Sequence, residues 1–197
     1  MTIASSKPRV LLLTEQQLPE LIPDEQPLIA AFRAAGCDVR PAVWSDPVPD
    51  ADLALIRTTW DYTSRLREFL SALETISKRM TLWNPIETVR WNIDKSYLLE
   101  LAAAGIAITH ATLKRPAEGE FRVQEDHGGT WTAAVPWASA IRAAEQVLGA
   151  VPYDWRYARV DGVMVDGAFL LMEVELIEPQ LFFPAAPIAA SMLVEAA

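Results

Sequence analysis

The sequence predicts an α/β protein that becomes α+β in its C-terminal half: a parallel-sheet domain, then a mostly antiparallel sheet with helices. Three observations carry this reading. Over residues 1–85, short apolar runs alternate with segments of helical period, the pattern of βαβ units. From Ile106 onward short strand-like runs take over. Near the C-terminus, Leu170-Leu171-Met172-Glu173-Val174-Glu175-Leu176-Ile177-Glu178-Pro179 follows a turn at Gly167 and puts acids into a strand.

Arg9 to Thr14 reads as a buried strand, and Pro27 to Ala35 as a helix with Pro in its first turn and Gly36 past its end. Asp38 to Trp44 and Asp52 to Thr58 read as strands. Leu66, Phe69, Leu70, Leu73 and Ile76 give helical spacing over Arg65 to Arg79, and Thr81 to Trp83 returns as a strand. Ligands of such sheets sit beyond the carboxyl ends of the strands, where Arg57-Thr58-Thr59-Trp60-Asp61-Tyr62 falls. That segment suits a small polar substrate through Arg57, Trp60, Asp61 and Tyr62; the alternative is a capped loop in which Asp61 pairs with Arg57.

Asn92-Ile93-Asp94-Lys95 precedes a helix over Ser96 to Ala104 that Gly105 ends, with Asp94 as its cap. Lys95 in a first turn opposes the helix dipole, so it is either an anion ligand or a solvated side chain. Ile106 to Leu113 reads as strand. Phe121-Arg122-Val123-Gln124 and Gly128-Gly129 follow, and Pro136 to Leu148 reads as a helix, as does Pro187 to the end. His110 and His127 stand apart without Cys or His companions at zinc spacing.

Residues two apart in a strand share a face, so Glu173 and Glu175 project together while Met172, Val174 and Leu176 point the other way. Adjacent carboxylates repel unless a cation separates them, either a divalent ion or an arginine. Arg159 and Asp161 are the expected partners. A two-residue loop at Asp166-Gly167 would put Asp161 opposite Met172; a three-residue loop, Asp166 to Ala168, puts it opposite Glu173. The metal reading therefore expects the longer loop, against the alternative of a solvated acidic face.

At 197 residues, with 51% hydrophobic and 22% charged residues, the chain supports a substantial core. A net charge of -9 and a pI near 4.7 argue against a nucleic-acid partner. Cys37 stands alone and can form no internal disulfide. The early apolar run is too short for a signal peptide, and no stretch approaches the roughly 20 apolar residues of a membrane span. The expected setting is cytoplasmic, away from membranes.

Together these motifs resemble the ATP-grasp superfamily of ligases, and within it the bacterial glutathione-synthetase-like group that includes the D-cycloserine cyclase. The likeness runs through Arg57 to Tyr62, Trp83-Asn84-Pro85, Asn92 to Lys95, Phe121 to Gly129, Arg159-Val160-Asp161 and Glu173-Val174-Glu175. It implies an N-terminal domain over residues 1–85 and an ATP-grasp-like catalytic domain over residues 86–197. It implies ATP and Mg²⁺ as cofactors: Lys95 on nucleotide phosphate, Arg122 and Arg159 steadying the transferred phosphoryl group, and Asp161, Glu173 and Glu175 on the metal. It implies a C–N bond formed through an acyl-phosphate on a small amino-acid-like substrate, and it admits a homodimer. The family's lid subdomain would fall between Ile108 and His110, where this sequence runs on without it. A chain lacking the lid fits the alternative function, a non-catalytic nucleotide- or metabolite-binding module.

Overall fold

The computed structural model describes residues 7–109 and 136–197. Strands β1 (Arg9–Thr14), β2 (Asp38–Val43), β3 (Leu53–Thr58) and β4 (Thr81–Trp83) pair in parallel in the order β2-β1-β3-β4. Period-two alternation sends successive side chains of β1 to opposite faces. Val10 and Leu12 join Leu28, Ile29 and Phe32 of α1 (Gln26–Ala34), while Leu11 and Leu13 join Phe69, Leu73 and Ile76 of α2 (Leu66–Ser77). Both faces are thus covered, as a parallel sheet requires. Each fully buried Leu or Phe contributes roughly 1.5–3 kcal/mol. Gly36 ends the α1 connection with φ 88°, a left-handed conformation that glycine adopts without strain.

A short helix absent from the sequence reading, α3 (Ile86–Asn92), follows β4, and α4 (Tyr97–Ala103) and α5 (Ala138–Gly149) come next. The second sheet is an antiparallel hairpin, β5 (Arg159–Val165) and β6 (Ala168–Glu175). Its apolar face, Leu171, Val174 and the following Leu176, packs on Tyr97, Leu98 and Leu101 of α4 and Val147 of α5. Of the strand expected over Ile106 to Leu113, the described part contributes a parallel bridge between Ile108 and Leu171. The chain then returns to the first sheet. Helix α6 (Pro187–Glu195) places Ala190 and Leu193 in the α1-side core, and the Tyr157 hydroxyl lies within hydrogen-bonding reach of the carbonyls of Ile56 (2.9 Å), Trp83 (2.9 Å) and Ile177 (3.1 Å).

Two expectations about the hairpin are corrected. The loop is two residues long, Val165 pairing with Ala168 across Asp166 (φ 50°) and Gly167 (φ 81°), the conformation of a primed turn. Yet Asp161 still faces Glu173, because the register shifts by one residue between Gly162↔Leu171 and Asp161↔Glu173. Met172 is the extra residue of that bulge. The bulge also reverses strand phase: Leu171, not Met172, joins Val174 and Leu176 in the core, and Met172 is exposed. Glycine is required opposite the bulge, since a Cβ on Gly162 would lie 2.2 Å from the tip of the Phe169 ring and 2.7 Å from the Leu170 carbonyl oxygen. We expect Gly162→Ala to cost about 1–3 kcal/mol in chemical denaturation, by displacing Phe169 or the bulge.

Candidate metal centre

The bulge builds the site. It leaves Glu173 and Glu175 side by side on the face turned away from the core, with Asp161 opposite Glu173 and Arg159 opposite Glu175. One oxygen from each of Asp161, Glu173 and Glu175 falls within a 4.8 Å cluster. An all-carboxylate set of oxygen donors fits Mg²⁺ better than a soft transition metal. Two cations share the cluster. The Arg159 guanidinium donates to Asp161 Oδ1 (3.0 Å) and Oδ2 (2.9 Å), to Glu175 Oε1 (2.5 Å) and to the Gln180 carbonyl (3.2 Å). The Lys95 ammonium pairs with Glu173.

The backbone between these acids is held from its open edge. Asn92 Nδ2 donates to the Val174 carbonyl (2.8 Å) and its Oδ1 accepts the Leu176 N–H (2.8 Å). The Tyr97 hydroxyl accepts the Val174 N–H (3.0 Å) and reaches the Val174 carbonyl (3.1 Å). Farther along, the Leu171 N–H donates to Ala107 (2.8 Å) and the Thr109 N–H to Leu171 (2.9 Å). A side-chain amide and a phenol thus stand in for a neighbouring strand and fix where Glu173 and Glu175 point. Neither Asn92 nor Tyr97 has a role that the residues alone predict; Asn92 stands out only as the first residue of the Asn92 to Lys95 run.

Burial, reinforced by the charges of Glu173 and Asp161 and only partly offset by Arg159, raises the Glu175 pKa to about 7. Burial, followed by the charge of Glu175, raises Glu178 to about 8. Both folded-state values exceed the ordinary carboxylate value of 4.5, so between about pH 4.5 and 8 the folded state binds more protons than the unfolded state. Stability therefore falls as pH rises through that window. Melting temperatures of metal-free protein from pH 5 to pH 8 should decline; a rise would contradict the burial of these two groups.

The candidates at the carboxyl edge of the parallel sheet are mostly engaged with the protein itself. Arg57 is buried and pairs in fork fashion with Glu25 (3.0 and 2.7 Å), not with Asp61, and donates to the Pro179 carbonyl (3.1 Å). Its guanidinium lies 5.5 Å from the Tyr157 ring centroid and 5.6 Å from that of Phe183. Burial works against its charge and Glu25 more than compensates, leaving its pKa raised. Asp61 accepts from Trp44 Nε1 (2.7 Å) and Arg65 (3.1 Å), and its N–H donates to the buried Glu15 (2.7 Å). Tyr62 stacks on Phe69 at 4.7 Å, and burial, reinforced by the charge of Glu178, raises its pKa. Trp60 remains exposed. Arg122, the Phe121 to Gly129 segment, His110 and His127 lie outside the described residues, and the expected lid position borders them.

Residues 10–84 match the domain family described as the D-cycloserine synthetase DcsG N-terminal domain. Over 106 residues the chain is 31% identical to the cycloserine biosynthesis protein DcsG of Streptomyces lavendulae, a match covering 52% of this chain and 36% of that protein. The matched part is thus about a third of the curated relative's length. Among solved structures, D-cycloserine synthetase DcsG superposes with a TM-score of 0.78 at 20% identity, covering 95% of this chain and 98% of the other. A RimK-domain ATP-grasp protein from Sphaerobacter thermophilus follows at 0.65 and 15% identity, with the same coverage. The ATP-grasp ligase PsnB, complexed with a minimal precursor, superposes at 0.58 and 11% identity, covering 98% of this chain and 99% of the other.

Proposed function

We propose, for a chain that has the ATP-grasp fold and an N-terminal domain matching that of D-cycloserine synthetase, an ATP- and Mg²⁺-dependent ligase or cyclase. It forms a C–N bond through an acyl-phosphate on a small amino-acid-like substrate. The observation that carries this reading is the convergence of Asp161, Glu173 and Glu175 beside Arg159 and Lys95 on one hairpin face.

The same face supports a nucleotide as well as a metal. Counting forward from Asp161 in steps of two brings Val163 and Val165 onto it, paired with Leu170 and Ala168, and both valines are exposed. An apolar strip running from an acid cluster suits a nucleobase, with phosphates at the acids. Asp161, Glu173 and Glu175 would hold Mg²⁺, which supplies neutralising charge to the phosphates. Lys95 takes a phosphate oxygen as a point charge. Arg159, fixed by five hydrogen bonds, presents a preorganised guanidinium to charge developing on the transferred phosphoryl group, a role shared with Arg122. A substrate carboxylate oxygen takes the γ-phosphoryl group and ADP leaves; an amine then attacks the acyl carbon, losing a proton as phosphate departs. No enzyme nucleophile is needed. Of the residues at the carboxyl edge of the parallel sheet, exposed Trp60 is the one open to a substrate, with Asp61 and Tyr62 beside it and buried Arg57 supporting the fold behind them through Glu25; a cytoplasmic homodimer is the expected setting.

Amino-acid-dependent ADP release in the presence of Mg²⁺ tests this. Release above the substrate-free rate supports the ligase; nucleotide binding with no release across amino acids and dipeptides would favour a binding module.

A further inference from the structure

We infer that Lys95 is a latch on the metal centre: it occupies the Glu173 carboxylate that the divalent cation needs, and it releases that carboxylate when a phosphate takes over its charge. The inference rests on the nucleotide and metal reading above and adds how the two ligands are coupled.

The two cations of the cluster are held very differently. Arg159 is locked between Asp161, Glu175 and the Gln180 carbonyl, with its side chain 26% exposed. Lys95 reaches Glu173 from α4's leading edge, and the two side chains are 39% and 33% exposed. Its backbone is well placed for this, because Tyr97, two residues on, is hydrogen-bonded to Val174 beside Glu173. A long flexible stem with a half-exposed ammonium can move without disturbing the core. Among the described residues Lys95 makes the one direct ion pair with Glu173, Arg159 acting on it only through space, so an arriving divalent cation competes with Lys95 for the same carboxylate. A phosphate removes the competitor by offering the ammonium a new acceptor. Metal and nucleotide then favour each other, and by thermodynamic reciprocity each raises the affinity of the other.

The test uses Mn²⁺ alone, without nucleotide, titrated into wild-type protein, Lys95→Met and Lys95→Arg and followed by the electron paramagnetic resonance signal of free Mn²⁺. Lys95→Met removes the competing charge and should bind Mn²⁺ roughly fivefold more tightly than wild type, the scale of a half-exposed ion pair. Lys95→Arg keeps a cation on Glu173 and should show no gain, which separates competition from any loosening of the fold. Equal or weaker binding by Lys95→Met would overturn the latch while leaving the metal centre standing. Absence of Mn²⁺ binding in all three proteins would overturn the latch and the metal reading together.

Discussion

Arg57→Met should lower the unfolding free energy by about 3–5 kcal/mol, a large share of the roughly 5–15 kcal/mol of a typical domain. The reason is what it leaves behind. Glu25 has a side chain only 3% exposed, and both of its oxygens accept from Arg57. Without the guanidinium, a carboxylate stays buried with no positive partner, which costs far more than the pair itself contributes. The Pro179 carbonyl loses its donor as well. At this chain length the loss corresponds to a fall in melting temperature of roughly 10 °C. Pairing Arg57→Met with Glu25→Leu should recover most of it, since both buried charges are then gone; a single variant melting like wild type would show that Glu25 is not confined as described.

Glu173→Gln should behave in the opposite way. Its side chain is one-third exposed and its ion pair with Lys95 is a surface one, so stability should move by no more than about 1 kcal/mol. Under the proposed function, activity should fall by a factor on the order of 100–1000, because an amide keeps the shape but removes one charged oxygen from the proposed metal set. The pair of variants separates a residue that supports the fold from one assigned to the proposed chemistry. Full Mg²⁺-dependent turnover by Glu173→Gln would remove the hairpin acids from the mechanism.

The architecture was legible because it is written in local periodicity. The alternation over Arg9 to Trp83 specifies strands and helices, and short connections between them imply a parallel sheet. The acid face was legible too, since Glu173 and Glu175 are two apart. The register was not: Phe169, Leu170, Leu171 and Met172 are all apolar, so strand phase cannot be read through them, and a three-residue loop and a two-residue loop with a bulge both bring Asp161 to Glu173. Gly162 and the Asp166-Gly167 pair were the available signals. Helix α3 escaped because two turns give too little period, and the 3-10 turn over Trp60–Ser64 because it carries polar residues and no buried stripe. Arg57 illustrates the other limit. Its sequence neighbour Asp61 was the natural partner, but Glu25, 32 residues away, lies closer in the fold.

Thermal unfolding with ATP, with and without excess Mg²⁺, bears most directly on the claim that the acids of β5 and β6 hold a nucleotide-bound metal. Specific binding stabilises the folded state with the logarithm of ligand excess over its dissociation constant, about 2.7 kcal/mol at a hundredfold excess. A rise of several degrees is expected with Mg²⁺ and ATP together, little with ATP and a chelator, and loss of the rise in Glu173→Gln. No shift in wild-type protein, or one of equal size with the chelator present, would contradict that claim.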